Sequence, residues 1–173
     1  NMVRDDATDY TILGLHILEA HGRGYTTAAV GEEWLTHLPY HLVYTAERVA
    51  YRNLVNGLGP PATATHWNPY REWIGAQIRA DIWGYACPGM PEVAAELAFK
   101  DAALSHTKNG IYGEMLVAAM IAAAFTTDDL GQLIQVGLSE IPETSRLAEA
   151  VRNTAAWSRE HDNWEEVWEK VMA

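Results

Sequence analysis

A single cysteine, Cys87, stands in 173 residues. No internal disulfide can form, and a reducing cytoplasm is the expected location. Cys87 sits in Ala86-Cys87-Pro88-Gly89, a turn after a helix, which favours a structural thiol over a nucleophile. Basic residues are also scarce. Twelve Lys and Arg face 23 Asp and Glu, for a formal charge of −11. That balance argues against a nonspecific nucleic-acid binder, which carries a basic face, and against docking on anionic lipid. No apolar run reaches the roughly 20 residues that a bilayer requires. No alternating run bounded by hairpin turns marks a strand. Repeats, low-complexity tracts and zinc spacings are missing too. The seven histidines (His16, His21, His37, His41, His66, His106 and His161) are scattered, without an HExxH arrangement, and there is no GxSxG elbow.

Hydrophobic residues make up 49% and charged residues 20%. This is a globular composition, long enough for a real core. The expectation is one all-α domain over residues 1–173, a compact orthogonal bundle of several helices. Its centre is predicted at Ser105 to Phe125. There a polar turn, Ser105-His106-Thr107-Lys108-Asn109-Gly110, opens a run from Met115 to Phe125 that has no polar side chain. A helix apolar on every side is buried on every side, and its alanines let neighbours approach closely. Its free N–H groups would suit an anionic ligand, although an ordinary polar entry loop explains the same residues.

The rest of the chain punctuates itself as helices. Asp5-Asp6-Ala7-Thr8-Asp9 opens a helix that stops at Gly22-Arg23-Gly24. Thr26 or Thr27 caps a second helix that Pro39 ends, and Thr45 caps a third that Gly57 to Pro61 end. Arg48 and Arg52 lie on one face of that third helix, as a phosphate fork or a solvated surface pair. Asn68 and Pro69 start a helix carrying Ile74, Ile78 and Ile82 as a buried stripe, with Arg79 and Asp81 paired beside it. Within it, Gly75-Ala76 marks close packing or a backbone approached by a ligand. Pro91 starts the next helix and Thr127-Asp128-Asp129 the one over Leu130 to Leu138. Leu147, Val151 and Trp157 keep a helical period, and Asp162-Asn163-Trp164-Glu165 forms a capping box for the last helix. The three carboxylates in Asp5 to Asp9 exceed what capping needs and resemble the oxygen clusters that bind hard cations.

Taken in order, Asp5-Asp6-Ala7-Thr8, Gly75-Ala76-Gln77-Ile78-Arg79-Ala80 and Leu104-Ser105-His106 resemble the ADP-ribosylglycohydrolase family. That family carries a T-D-D-T metal motif, a G-A-x-M-R-A segment and a later T/S-H segment. The resemblance covers nearly the whole chain. It implies a hydrolase that cleaves an ADP-ribosyl or related ribosyl glycosidic bond, on an ADP-ribosylated substrate or an ADP-ribose-like small molecule. It also implies two Mg²⁺ or Mn²⁺ ions. Carried over by position, Asp5 and Asp6 are metal ligands and Asp6 is catalytic. Gly75, Ala76, His106 and Asn109 are substrate-binding, with Glu114 a weaker candidate. Ala7 stands where the second aspartate is expected. A frame shifted by one would instead make Asp5-Asp6 the aspartate pair. The family's glycine-rich segment before the first motif and its aspartate-rich motif near the C-terminus do not occur. The chain is therefore expected to be the central part of a longer domain, incomplete or inactivated at Ala7, or completed by other segments or a second copy. Two alternatives remain: a non-catalytic nucleotide-binding or assembly module retaining the fold, and a purely structural helical domain.

If Ala7 occupies the second aspartate position, Ala7→Asp strengthens divalent-metal binding in calorimetric titration. An unchanged isotherm eliminates that alignment.

Overall fold

The run without polar side chains, Met115 to Phe125, supplies most of the central helix. A computed structural model describes residues 5–173. Among them the chain forms ten α-helices, three short 3₁₀ segments and no strand. Helix α7 (Asn109–Ala123) packs against α5 (Ala80–Tyr85), α6 (Pro91–Ala102), α8 (Leu130–Ser139) and α9 (Arg146–Glu160). Gly110, Gly113, Leu116, Ala118, Ala119, Ala122 and Ala123 are all buried on it. The alanine-rich sequence thus does what its composition predicts: small side chains allow close approach from several directions at once. The main core lies between this axis and a layer formed by α1 (Asp6–His21), α2 (Thr27–His37) and α3 (Thr45–Val55), and it includes Ile17, Val30, Trp34, Trp83 and Leu97. A second cluster, with Leu138, Ile141 and Ala148, joins α8 and α9 to Leu116 of α7. The remaining helices are the one-turn α4 (Ala62–Thr65) and the terminal α10 (Trp164–Met172).

Helix starts follow local chemistry. Asp5 caps α1 by accepting from the Ala7 amide at 3.1 Å, and Thr26 caps α2 by accepting from Ala29 at 3.2 Å. Asp129 does the same for α8 from Gln132 at 2.9 Å. In the last helix Asn163, one residue beyond Asp162, is the cap and accepts from Glu165. Thr45 departs from expectation. Tyr44 takes the cap position without a side-chain bond, and Thr45 opens α3 with φ at 38°. A β-branched residue in that region is strained.

The helix expected from Pro69 through Ile82 is not continuous. Residues 69–73 turn, Ile74–Arg79 wind as 3₁₀, and only then does α5 begin. Threefold winding breaks the fourfold stripe, so Ile74 is 69% exposed while Ile82 is buried. Tertiary contact accounts for the difference. Gly75 presses against the Glu47 carboxylate, where an added Cβ would lie 2.3 Å from Oε1. Asn68 does cap the chain here, its Oδ1 accepting from Tyr70 N at 3.2 Å, but what it caps is a turn and not a helix. Its amide donates to the carbonyls of Ser105 at 2.9 Å and Ala46 at 3.3 Å, tying α3 to the entry of α7.

The α5–α7 contact depends on Gly84, whose Cβ position lies 2.5 Å from Cβ of Ile121. Gly84→Ala is expected to destabilise the fold by about 1–3 kcal/mol through overpacking. Urea unfolding checks this, with Gly59→Ala, which meets nothing within 4 Å, as the tolerated control.

Candidate active site

A buried cation organises the site. Arg79, at the end of the 3₁₀ segment, is 2% exposed. Its Nε donates to Asp101 Oδ2 at 2.5 Å, and its Nη1 donates to Glu47 Oε1 at 2.9 Å and to Ser105 Oγ at 3.1 Å. Nη2 donates to the Asp101 carbonyl at 3.2 Å, and Glu114 lies further off at 3.6 Å. Rings of Trp34 and Tyr10 lie 5.2 and 5.5 Å from the guanidinium carbon. The partners come from α3, α6 and α7, so one charge ties three helices to the 3₁₀ segment. Asp81, the partner expected from the sequence, is not among the ion-pair partners found for Arg79.

Burial and charge set the protonation states. Desolvation works against the Arg79 charge, but Asp101, Glu114 and Glu47 outweigh it and hold its pKa above the ordinary value. Burial raises the carboxyl pKa of Glu47, partly countered by Arg79. Burial and then Asp101 raise that of Glu114 well above the ordinary value. Beside them His106 is buried, with Nδ1 2.8 Å from Ser105 Oγ. Desolvation, followed by the Arg79 charge, lowers its pKa to about 3. Its imidazole is therefore neutral at neutral pH.

Above this cluster opens a cleft of about 330 Å³, lined by Asp6, Tyr10, Tyr44, Thr45, Glu47, Trp73, Ile74, Gly75 and Ile78. Glu47 joins the two regions, since it lines the cleft and holds Arg79. Tyr44 and Trp73 are 53% and 55% exposed and form an aromatic rim. Thr45, with its strained backbone, belongs to the same wall.

The residues singled out in the sequence divide among these places. Asp6 and Gly75 line the cleft. Ala76 is fully buried behind it, in a small cluster with Ala102 and Ile111. His106 lies in the buried network and does not face solvent. Asn109 is a strut: its amide donates to Glu72 at 3.0 Å, and its carbonyl oxygen accepts from Leu147 N at 3.1 Å. The start of α7 is covered by the main chain of Arg71, whose carbonyl accepts from Thr107 at 2.8 Å. Glu47, Tyr44 and Trp73 carry no motif and emerge only from the fold, whereas a buried arginine within an apolar stretch was a readable signal.

Donors for a divalent cation are few here. The Asp5 carboxylate is engaged in capping, and Asp6 Oδ1 accepts from Ala7 N at 3.1 Å. Ala7 supplies no ligand, and Glu47 is committed to Arg79. Mg²⁺ binds through one or two carboxylates, waters and substrate phosphates. The cleft, as formed by the described residues, fits one such hydrated ion at Asp6 and lacks the carboxylates for two.

The cleft, the buried arginine and the alanine-rich axis all lie within one stretch that matches a family model. The model of the ADP-ribosylglycohydrolase family matches residues 4–172, and the chain belongs to that family. No curated protein and no solved structure gives a significant match. No helix among the described residues is long and apolar enough to cross a membrane.

Two outcomes test this electrostatic picture. Arg79→Met leaves three buried carboxyl groups without their cation and is expected to cost about 3–5 kcal/mol in chemical denaturation. For His106 the folded state disfavours protonation. Its contribution to stability is therefore full above the ordinary value of 6.5 and is lost as pH falls toward about 3. Wild type is expected to lose this increment of stability across that window relative to His106→Gln. Parallel pH profiles of the two proteins would refute the assignment.

Proposed function

We propose that the cleft hydrolyses an ADP-ribosyl, or related ribosyl, glycosidic bond. The observation that carries this reading is that two carboxyl groups, Asp6 and Glu47, line one cleft with Tyr44 and Trp73 in a chain of this family. Ribosyl cleavage develops oxocarbenium-like positive charge, which an adjacent carboxylate stabilises. In the proposed step, water oxygen bonds to the anomeric carbon as the glycosidic bond breaks. Asp6 takes the water proton. Glu47, through Oε2, the oxygen not bonded to Arg79, gives a proton to the leaving group; burial raises its pKa and Arg79 partly counters this. Arg79 acts through Glu47 by fixing its orientation. Trp73, 55% exposed, offers a ring against which a planar base can pack, while the Arg48 guanidinium lies 5.3 Å over the Tyr44 ring. The substrate is an ADP-ribosylated molecule or an ADP-ribose-like small molecule.

A divalent ion, Mg²⁺ or Mn²⁺, belongs to this proposal, with Asp6 as the carboxylate that would hold it. When bound, it offsets diphosphate charge and lowers the pKa of water. Ala7 and the small donor set favour a second reading, a nucleotide-binding module without turnover. The two readings differ in metal dependence and in product.

Calorimetric titration of ADP-ribose with and without Mg²⁺ tests both. Under the hydrolase reading, binding requires the metal and is lost in Asp6→Asn. A chromatographic assay with an ADP-ribosylated peptide releases free ADP-ribose. Trp73→Ala, at an exposed site, is expected to weaken binding by about 1–3 kcal/mol, a loss of roughly five- to one-hundred-fold, with an unchanged melting temperature. Metal-independent binding without product release supports the second reading. Binding unaffected by both variants eliminates the cleft.

A further inference from the structure

Three imidazoles converge on one carboxylate away from the cleft. Glu33, on α2, has a side chain only 15% exposed. Its Oε2 lies 3.1 Å from His16 Nε2 and 3.2 Å from His37 Nε2, and its Oε1 lies 2.8 Å from His21 Nε2. His16 and His21 come from α1, while Glu33 and His37 stand four residues apart on α2. A surface ion pair needs one histidine. Here three point the same ring nitrogen at the two oxygens of one group, and the rings of His16 and His37 meet edge to face at 4.5 Å.

We propose that His16, Glu33 and His37 form a site for a divalent transition-metal ion, with Zn²⁺ the species their chemistry favours. Their ligand atoms all lie within 4.8 Å of one another. Zinc bonds of about 2.0–2.1 Å in a tetrahedron place ligand atoms about 3.3 Å apart. The two histidine–carboxylate separations, 3.1 and 3.2 Å, already approach that edge. The metal takes the place of the proton between His16 Nε2 and Oε2 and enters the gap beside His37 Nε2, with each imidazole carrying its proton on Nδ1. Two imidazoles and a carboxylate are borderline-soft and hard donors that suit Zn²⁺ and its transition-metal neighbours better than Mg²⁺. His21 holds the other carboxylate oxygen and so orients Glu33, as outer partners of metal ligands do. A fourth position remains for water. It borders a second cleft, about 300 Å³, lined by Asp9, Ile12, Leu13 and Leu38 together with His16 and His37. This site is separate from the Asp6 cleft, and its existence does not depend on glycosidase activity.

Equilibrium dialysis of the full chain against Zn²⁺ near neutral pH is the test, read by metal content and by thermal shift. One ion per chain is expected, with a higher melting temperature. Glu33→Gln and His37→Gln each weaken binding at least about 100-fold, while His21→Ala weakens it about 10- to 100-fold. His66→Gln, at an exposed histidine outside the cluster, leaves Zn²⁺ binding unchanged. His37 is the more exposed ligand, 46% accessible, so its replacement separates lost ligation from lost folding. Co²⁺ substitution is expected to give the visible bands of a four-coordinate centre in wild type and not in His37→Gln. No saturable Zn²⁺ binding by wild type, or wild-type affinity in His37→Gln, overturns the proposal.

Discussion

The fold depends on the enclosure of one positive charge. Arg79 is removed from water among Asp101, Glu47, Ser105 and Glu114, beneath the rings of Tyr10 and Trp34. A buried guanidinium costs several kcal/mol unless its donors are met, so the positions of α3, α6 and α7 are constrained jointly and not pair by pair. The partners are more numerous than one cation can neutralise. The raised proton affinities of Glu47 and Glu114 absorb that excess. The same imbalance gives the cleft a carboxyl group that differs chemically from a surface glutamate.

The axis of the bundle was legible in the sequence because its information is local. Met115 to Ala123 needs no distant residue to declare that it is buried. Most helix starts were legible for the same reason, since Asp5, Thr26 and Asp129 each satisfy an amide two or three residues away. The segment from Ile74 to Arg79 departs from the helix its spacing predicts, and there Gly75 packs against a carboxylate from α3. Glycine and alanine there permit either form, and contact with Glu47 selects the tighter one.

The site was only partly legible. Asp6 and Gly75 were identified through their motifs and line the cleft. Glu47 lies 32 positions from Arg79 in sequence, and nothing near it announces their meeting. The histidines looked scattered because two helices share them, although the four-residue spacing of Glu33 and His37 was visible. Helix α1 connects the two regions. Its first turn supplies Asp6 to the cleft, and about three turns further on it supplies His16 to the Glu33 cluster.

Helix α10 stands apart from this tightly coupled centre. None of its residues is buried, its principal neighbour is α9, and Trp164, Trp168, Val171 and Met172 remain exposed. A helix that gives so little surface to the core has little free energy holding it closed. Its opening is therefore a local event, decoupled from the unfolding of the body around α7. Two levels of cooperativity are therefore expected, and tryptophan fluorescence would mix them: Trp164 and Trp168 are exposed on the loosely held helix, while Trp34 and Trp83 are buried in the core.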